Sequence, residues 1–110
     1  MAAGLIRGEV RFYRFAPPDK ERPVVVLTRA PALRFLNEVV VAPITSTIRN
    51  SPTEVVLGTE DGLRQPCAAN LDHVITVPKA KLGRAVATLS PEKLRRICAA
   101  LAFAVGCSAP

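Results

Sequence analysis

Two short apolar runs rich in β-branched residues constrain the fold of this chain more than any other feature. They are VVVLT, residues 24–28, and EVVVAPIT, residues 38–45. Such residues suit the pleated, buried surface of a sheet, and both runs have the usual length of a strand. We therefore predict a buried strand at each place. We expect the second strand to bend near Pro43, because proline cannot donate to a ladder.

Three further segments extend this strand-rich pattern. Residues 8–15 (GEVRFYRF) alternate between polar and apolar side chains, which is typical of a half-buried strand. Residues 53–58 (TEVVLG) and 67–77 (CAANLDHVITV) predict two more strands. The proline-rich segment 16–23 (APPDKERP) ends the first strand, and residues 81–89 (KLGRAVATL) suit either a short strand or a turn.

The end of the chain carries the signals of one amphipathic helix. Ser90 is a good N-cap, Pro91 occupies a position where its missing N–H costs little, and Gly106 is a suitable stop. Apolar side chains recur at helical spacing at Leu94, Ile97, Cys98, Leu101 and Val105. Many short strands followed by one helix in 110 residues predict a mainly β fold with a C-terminal α-helix, arranged as a partly closed barrel.

Charge and cysteine content narrow the class of protein. A net charge of +6 and a pI of about 9.9 favour a polyanionic partner: nucleic acid, an anionic membrane surface or an acidic protein tail. Three cysteines without a CxxC motif, together with a single histidine, favour reduced thiols and offer few ligands for zinc. No apolar stretch reaches the roughly 20 residues that cross a bilayer, and the N-terminus lacks signal-peptide character. We therefore predict a cytoplasmic protein outside the membrane.

Two sites in the sequence have the residue types needed to bind a phosphate. Thr45, Ser46 and Thr47 end the second apolar run, where hydroxyls either donate to an oxyanion or cap a turn. Arg22 precedes Pro23, which holds it extended at the mouth of a strand. Its guanidinium there either grips two phosphate oxygens or remains solvated. The residues alone leave both alternatives open at both sites.

Other reactive side chains give weaker signals. Arg49 lies in a turn-like segment, where it either touches a phosphate or is solvated. Asp72 and His73 are adjacent, and neighbours in a strand point to opposite faces, so they cannot form a dyad with each other. His73 suits either a general base or a structural role, whereas Cys67 lacks the context of a nucleophile and suits a small buried hydrophobe.

Four blocks of the sequence together resemble the MazF/PemK family of toxins from toxin–antitoxin pairs. They are RGEVRFYRF at residues 7–15, RPVVVLTR at 22–29, VVVAPITSTIRNSPTEVVL at 39–57 and NLDHVITVPKAKLGR at 70–84. A closing helix follows them, as in the family. The blocks stand in the family's order and spacing over nearly the whole chain, and PITSTIRNSPTEV is most similar to the plasmid-type PemK-like branch.

The resemblance implies a fold, an activity and partners. The fold would be a small SH3-like barrel with a terminal helix, a single domain over residues 1–110, usually assembled as a homodimer. The activity would be sequence-selective cleavage of single-stranded RNA, without a metal or another cofactor. The partner would be a short antitoxin whose acidic tail lies over the RNA groove.

The resemblance also implies which residues act. The catalytic positions of the family fall on Arg22 and Thr45, and positions that contact RNA in relatives fall on Thr47 and Asp72. Ser46 and Arg49 belong to the same polar block and complete the RNA-binding candidates. In the implied reaction the 2′-hydroxyl of the RNA is the nucleophile, so the protein needs only to align it and stabilise the phosphorane.

Two alternatives stand beside this hypothesis. CcdB-like toxins share the barrel but bind DNA gyrase and cut nothing; the pairing of Arg22 with Thr45 argues against that function. A non-cleaving RNA-binding module is the other alternative, against which stand four Phe, one Tyr and no Trp for stacking bases. The short, proline-stiffened segment 16–23 replaces a longer, Gly-rich loop found in many relatives, so their RNA cleavage motifs cannot be carried over.

Overall fold

A computed structural model of the chain describes residues 4–18 and 20–107. Within these residues, strands come first and one α-helix closes the chain, which confirms the predicted mainly β fold. The elements are β1 (Glu9–Arg14), β2 (Glu21–Val26), β3 (Glu38–Thr45), β4 (Glu54–Leu57), β5 (Cys67–Asn70), β6 (Ile75–Pro78), β7 (Ala85–Thr88) and α1 (Pro91–Ala104). At residues 81–89, where a strand or a turn was expected, the chain forms the strand β7.

The strands form one antiparallel sheet in the order β4-β5-β3-β2-β1-β7, and β6 pairs with β3 as well. One edge of β3 pairs with β2. Its other edge pairs first with β6, over Glu38–Val41, and then with β5, through Ile44 and Thr45. The change of partner brackets Pro43, where the sequence predicted a bend. Thr45 therefore ends β3 at the point where the strand leaves β2 and continues beside β5.

The two faces of the sheet bury separate apolar clusters. Alternate side chains of the first β-branched run point to opposite faces, as in any strand. Val24 and Val26 belong to one cluster, and Val25 and Leu27 belong to the other. The helix α1 packs on the second cluster through Ile97, which is fully buried. Because both faces are covered, the run is apolar at every position instead of alternating.

The first β-branched strand begins earlier than predicted. We expected it over residues 24–28, but β2 begins at Glu21 and contains Pro23, which lies opposite Phe12 of β1. The pairing of β2 with β3 begins only at Val24. Proline is tolerated in a strand that has a neighbour on one side only, which explains why Pro23 does not delay the strand.

The prediction of one strand over residues 67–77 is wrong. The chain forms β5, then a 3₁₀ turn at Leu71–His73, then β6. The Asn70 side chain accepts the backbone N–H of Asp72 at 2.9 Å and so caps this turn, while Leu71 is buried. The polar NLDH sequence was therefore a turn signal. Asp72 and His73 lie on the turn, so the alternation of a strand does not describe them.

The helix begins and ends as predicted, and its apolar stripe is confirmed in part, because Ile97 is buried and Leu101 packs against the same cluster. The Ser90 hydroxyl accepts the N–H of Lys93 at 3.2 Å, and Gly106 follows the last turn with a φ of +78°. Cys98 and Val105, which we expected in the stripe, are exposed, and Ala100 is buried instead. A small side chain at this position lets the helix approach the sheet closely. No helix of the described residues is long and apolar enough to span a membrane.

Lys93 ties α1 to the loop of residues 58–66, which follows β4. Its ammonium donates to the Val56 carbonyl at 2.9 Å and to the Asp61 carboxylate at 3.2 Å. The same Asp61 oxygen accepts the N–H of Gly58 at 3.0 Å. The Asp61 side chain is 6% exposed, so its charge depends on these donors for compensation. This contact fixes the start of the 58–66 loop, whose later residues line the site described below.

We expect Lys93→Met to lower the free energy of unfolding by about 2 kcal/mol, because it leaves the nearly buried Asp61 carboxylate without its cation. Urea denaturation measures the loss. The double variant Lys93→Met/Asp61→Asn should recover part of it, since no uncompensated charge remains. A single variant as stable as the wild type would show that solvent already compensates Asp61.

Candidate active site

Strand register brings the two predicted catalytic residues together. Val24 of β2 lies opposite Pro43 of β3, and the same register continued for two residues places Arg22 opposite Thr45. The paired part of the two strands ends at Val24 and Pro43, before these residues, while Thr45 pairs with Ala68 of β5 on the other edge of β3. The separation of β2 and β3 opens the surface of the sheet beside Arg22 and Thr45.

Two concavities meet at this opening, and Arg22, Ile44 and Thr45 line both of them. We call the larger one, of about 420 Å³, the loop-side pocket because the 58–66 loop forms one wall. We call the other, of about 360 Å³, the turn-side pocket because the Leu71–His73 turn borders it. A chain passing from one pocket into the other would cross Arg22 and Thr45.

Both pockets are rich in positive charge. Besides Arg22, the loop-side pocket is lined by Lys20 and Arg64, and the turn-side pocket by Arg49. The two pockets thus have four cationic residues, and among their described lining residues Glu21 is the one acidic residue. Across the described ranges, no three or more His, Cys, Asp or Glu side chains are grouped so that they could hold a metal ion. The charge suits a polyanionic strand bound across both pockets.

The Thr45 hydroxyl combines the two roles that the sequence left open. Its Oγ1 accepts the backbone N–H of Thr47 at 3.1 Å, so it does cap a turn. A hydroxyl has two acceptor lone pairs and one donor hydrogen. The capping bond uses a lone pair and holds the oxygen in place, which leaves the hydrogen to donate to a bound group. Turn capping therefore orients this hydroxyl without consuming its donor.

The structure brings only some of the predicted RNA-binding residues to the pockets. Ser46 lines the loop-side pocket, and Arg49 lines the turn-side pocket. Thr47 is exposed and lines neither. Asp72 lines neither pocket, because its carboxylate accepts the Thr53 hydroxyl at 2.6 Å and so joins the turn to the segment before β4. For Thr47 and Asp72, RNA contact stays a prediction without support from this arrangement.

Sequence reasoning missed several residues that line the pockets. Arg64 and Gln65 lie in the loop-side pocket, although we singled out neither of them in the sequence. The 70–84 block that led us to Asp72 also supplies to the turn-side pocket Asn70, which we did not single out, and His73, which we considered as a general base. The His73 Nδ1 lies 3.4 Å from the Asn70 amide nitrogen. The capping role of Asn70 was the signal that could have placed this turn.

The Cys67 thiol also lines the loop-side pocket, but it is not activated. The side chain is buried, and this burial raises the pKa of the thiol, helped by the Asp61 carboxylate and opposed by the Lys93 ammonium. A raised pKa keeps the sulfur protonated and a poor nucleophile. This agrees with the interpretation of Cys67 as a small buried hydrophobe.

Comparison with known proteins identifies the family. Residues 6–105 match the model of the PemK-like, MazF-like toxins of type II toxin–antitoxin systems. The chain belongs to this family. It is 42% identical over 109 residues to the probable endoribonuclease MazF5 of Mycobacterium tuberculosis, covering 98% of this chain and 99% of the relative. The PemK/MazF membership confirms the resemblance found in the sequence.

Solved structures of MazF toxins confirm the small barrel fold as well. The Mycobacterium tuberculosis toxin MazF-mt6 superposes with a TM-score of 0.83 at 33% identity, over 92% of this chain and 99% of that one. An endoribonuclease from a mycobacterial species, solved in complex with its cognate antitoxin, superposes with a TM-score of 0.84 at 28% identity, over 96% and 98% of the two chains.

Proposed function

We propose that this chain is an endoribonuclease toxin that cleaves single-stranded RNA and is neutralised by a cognate antitoxin. The observation that carries the proposal is the meeting of Arg22 and Thr45 at the border of two basic pockets in a MazF-family fold. The names of its relatives as endoribonucleases support RNA cleavage over the gyrase-binding alternative. The antitoxin complex of a structural relative supports the mode of neutralisation.

In the proposed reaction the RNA supplies its own nucleophile. The 2′-oxygen forms a bond to phosphorus as the bond from phosphorus to the 5′-oxygen breaks, leaving a 2′,3′-cyclic phosphate and a 5′-hydroxyl. Arg22 donates two N–H groups to the non-bridging oxygens, where negative charge accumulates in the transition state. The Thr45 hydroxyl, held by its bond to the Thr47 N–H, donates to the same phosphate or to the leaving oxygen.

The proton of the 2′-hydroxyl and the proton for the leaving 5′-oxygen are transferred by groups on either side of Arg22 and Thr45. In-line displacement needs a base near the 2′-hydroxyl and an acid near the leaving oxygen, on opposite sides of phosphorus. Glu21 lines the loop-side pocket and His73 lines the turn-side pocket, so they flank the Arg22–Thr45 border. Asp72, bonded to Thr53, is the less suitable carboxylate. A guanidinium offers donors and no acceptor, so Arg22 does not serve as the base.

The proposal includes the setting of the toxin. The four cations of the two pockets match an acidic antitoxin tail as well as RNA, so the tail would block the site by occupying it. The toxin acts in the cytoplasm, where it meets RNA, and it assembles as a homodimer. A monomer in sedimentation at micromolar concentration would contradict the assembly but not the activity.

The deciding experiment is a cleavage assay. Purified protein is incubated in EDTA with a mixed-sequence single-stranded RNA, beside Arg22→Ala and Thr45→Ala, and the ends are mapped. We expect discrete cuts with cyclic phosphate and 5′-hydroxyl ends that both substitutions abolish. If the folded protein cuts none of several long RNAs, the barrel would instead serve to bind a protein target such as gyrase.

A further inference from the structure

A third concavity lies on the face of the sheet that carries Val24 and Val26, opposite the face of the loop-side pocket, where Arg84 reaches the edge beside Phe12. It has a volume of about 690 Å³, and we call it the edge groove. Three cationic residues, Arg11, Lys79 and Arg84, line it together with Asn37 and the backbone of Gly83, and the described lining contains no Asp or Glu. None of these residues belongs to the two pockets of the proposed active site.

The cations of the edge groove are held in place by the fold. The Arg11 Nε donates to the Glu9 carboxylate and another of its guanidinium nitrogens donates to the Gly83 carbonyl, both at 3.0 Å. These bonds use two of the five N–H groups and fix the direction of the others. The Lys79 ammonium donates to the Leu33 carbonyl at 2.6 Å. Little side-chain freedom would be lost when a phosphate binds here, which favours binding.

Arg84 joins the edge groove to the loop-side pocket. Its guanidinium lies 4.8 Å from the ring centroid of Phe12, and Phe12 lines the loop-side pocket while Arg84 lines the groove. The backbone holds this pair together, because Gly83 N–H donates to the Phe12 carbonyl at 2.7 Å and Phe12 N–H donates to the Arg84 carbonyl at 3.3 Å. Proteins that bind single-stranded nucleic acid commonly stack bases on an aromatic ring and hold the phosphates with a neighbouring cation.

We propose that bound RNA runs from the loop-side pocket across Phe12 and Arg84 into the edge groove, where Arg11, Lys79 and Arg84 hold backbone phosphates of nucleotides remote from the scissile bond. The proposal rests on the proposed ribonuclease function and extends it to an exosite for RNA outside the cleavage site. The Phe12–Arg84 pair, which links the groove to the loop-side pocket around the sheet edge, favours RNA as the occupant over an acidic protein segment.

The proposal is tested with two double variants, one that removes two cations of the edge groove and one that removes two cations of α1. Lys79→Gln/Arg84→Gln removes two groove cations, and Arg95→Gln/Arg96→Gln removes two exposed cations of α1 as a matched control. Each pair is compared with the unsubstituted protein on RNAs of about 4 and about 16 nucleotides that share one cleavage site. Binding of the longer RNA is measured in the Thr45→Ala background at several salt concentrations, and thermal unfolding confirms that all variants are folded.

We expect the groove variant to bind the longer RNA roughly tenfold more weakly, with a log–log salt slope shallower by about 1.4, the value for two phosphates of a single strand. Its KM and kcat on the short RNA should equal those of the wild type, and the α1 control should behave as wild type on both. Equal losses on short and long RNA, or none on either, would overturn the exosite. So would weaker antitoxin binding with unchanged RNA binding, which would assign the groove to the protein partner.

Failure of the proposed function gives a different result. If the wild type cuts none of the long RNAs of the cleavage assay, the ribonuclease proposal fails, and binding of the longer test RNA still reports on the groove by itself. If the wild type cleaves both RNAs and the groove variant shows wild-type affinity and salt slope, only the exosite is excluded.

Discussion

Arg22→Lys will retain RNA binding but lower the cleavage rate by roughly 10²–10³-fold, the loss typical of removing one transition-state donor. Lysine keeps the positive charge, so the phosphate is still attracted. Its ammonium is a point charge that cannot present the planar pair of N–H groups that fits two phosphate oxygens. The substitution should therefore lower kcat more than it weakens RNA binding, because the second N–H contact of the guanidinium is strongest when the phosphorane forms.

Single-turnover cleavage at saturating protein measures the rate, and the affinity for uncleaved RNA is measured separately. Arg95→Lys is the matched control, since Arg95 lies exposed on α1 and lines neither pocket. Full activity of Arg22→Lys would show that Arg22 acts as a simple charge and that its bidentate role is wrong.

Thr45→Val has the second largest expected effect, a fall in the cleavage rate of about 10²-fold or more. Valine has nearly the shape of threonine, so the packing beside Ile44 and Ala68 is kept. It cannot donate to the phosphate, and it cannot accept the Thr47 N–H that the Thr45 oxygen now accepts at 3.1 Å. Thr45→Ser keeps both hydrogen-bonding functions and should retain most of the activity.

The same single-turnover assay separates these variants. Thr88→Val is the matched control for the loss of an exposed strand hydroxyl, because Thr88 ends β7 and lines neither pocket. If Thr45→Val cleaved as fast as the wild type while Arg22→Lys did not, the hydroxyl would serve the turn alone and Arg22 would carry the charge stabilisation.

Local signals in the sequence were enough to predict most elements of the fold. The β-branched runs predicted strands because both faces of the sheet are covered, so each side chain of Val24 to Leu27 has an apolar partner. The helix ends could be predicted because each depends on a local feature: the Ser90 hydroxyl accepts the N–H of Lys93, and Gly106 adopts a positive φ just after the last turn. The prediction of one strand over residues 67–77 was wrong because the turn capped by Asn70 interrupts the apolar residues on either side.

The site needed a different kind of information. Family resemblance indicated Arg22 and Thr45, but nothing within either segment says that they are neighbours. The register of β2 against β3 decides that, and register depends on which faces are buried and on the partner change around Pro43. The same applies to Asp72, which the resemblance assigned to RNA and the tertiary structure bonds to Thr53.

By itself, the sequence determined a small, basic, mainly β chain with one terminal helix, because strand runs and helix caps are set by neighbouring residues. Only the tertiary structure decided which polar residues share a surface. The two pockets meet at Arg22 and Thr45 because β2 and β3 part there. The proposed exosite is linked to the loop-side pocket because residues 83 and 84 bond to Phe12. Both are contacts between residues distant in the chain, and such contacts follow from packing and register.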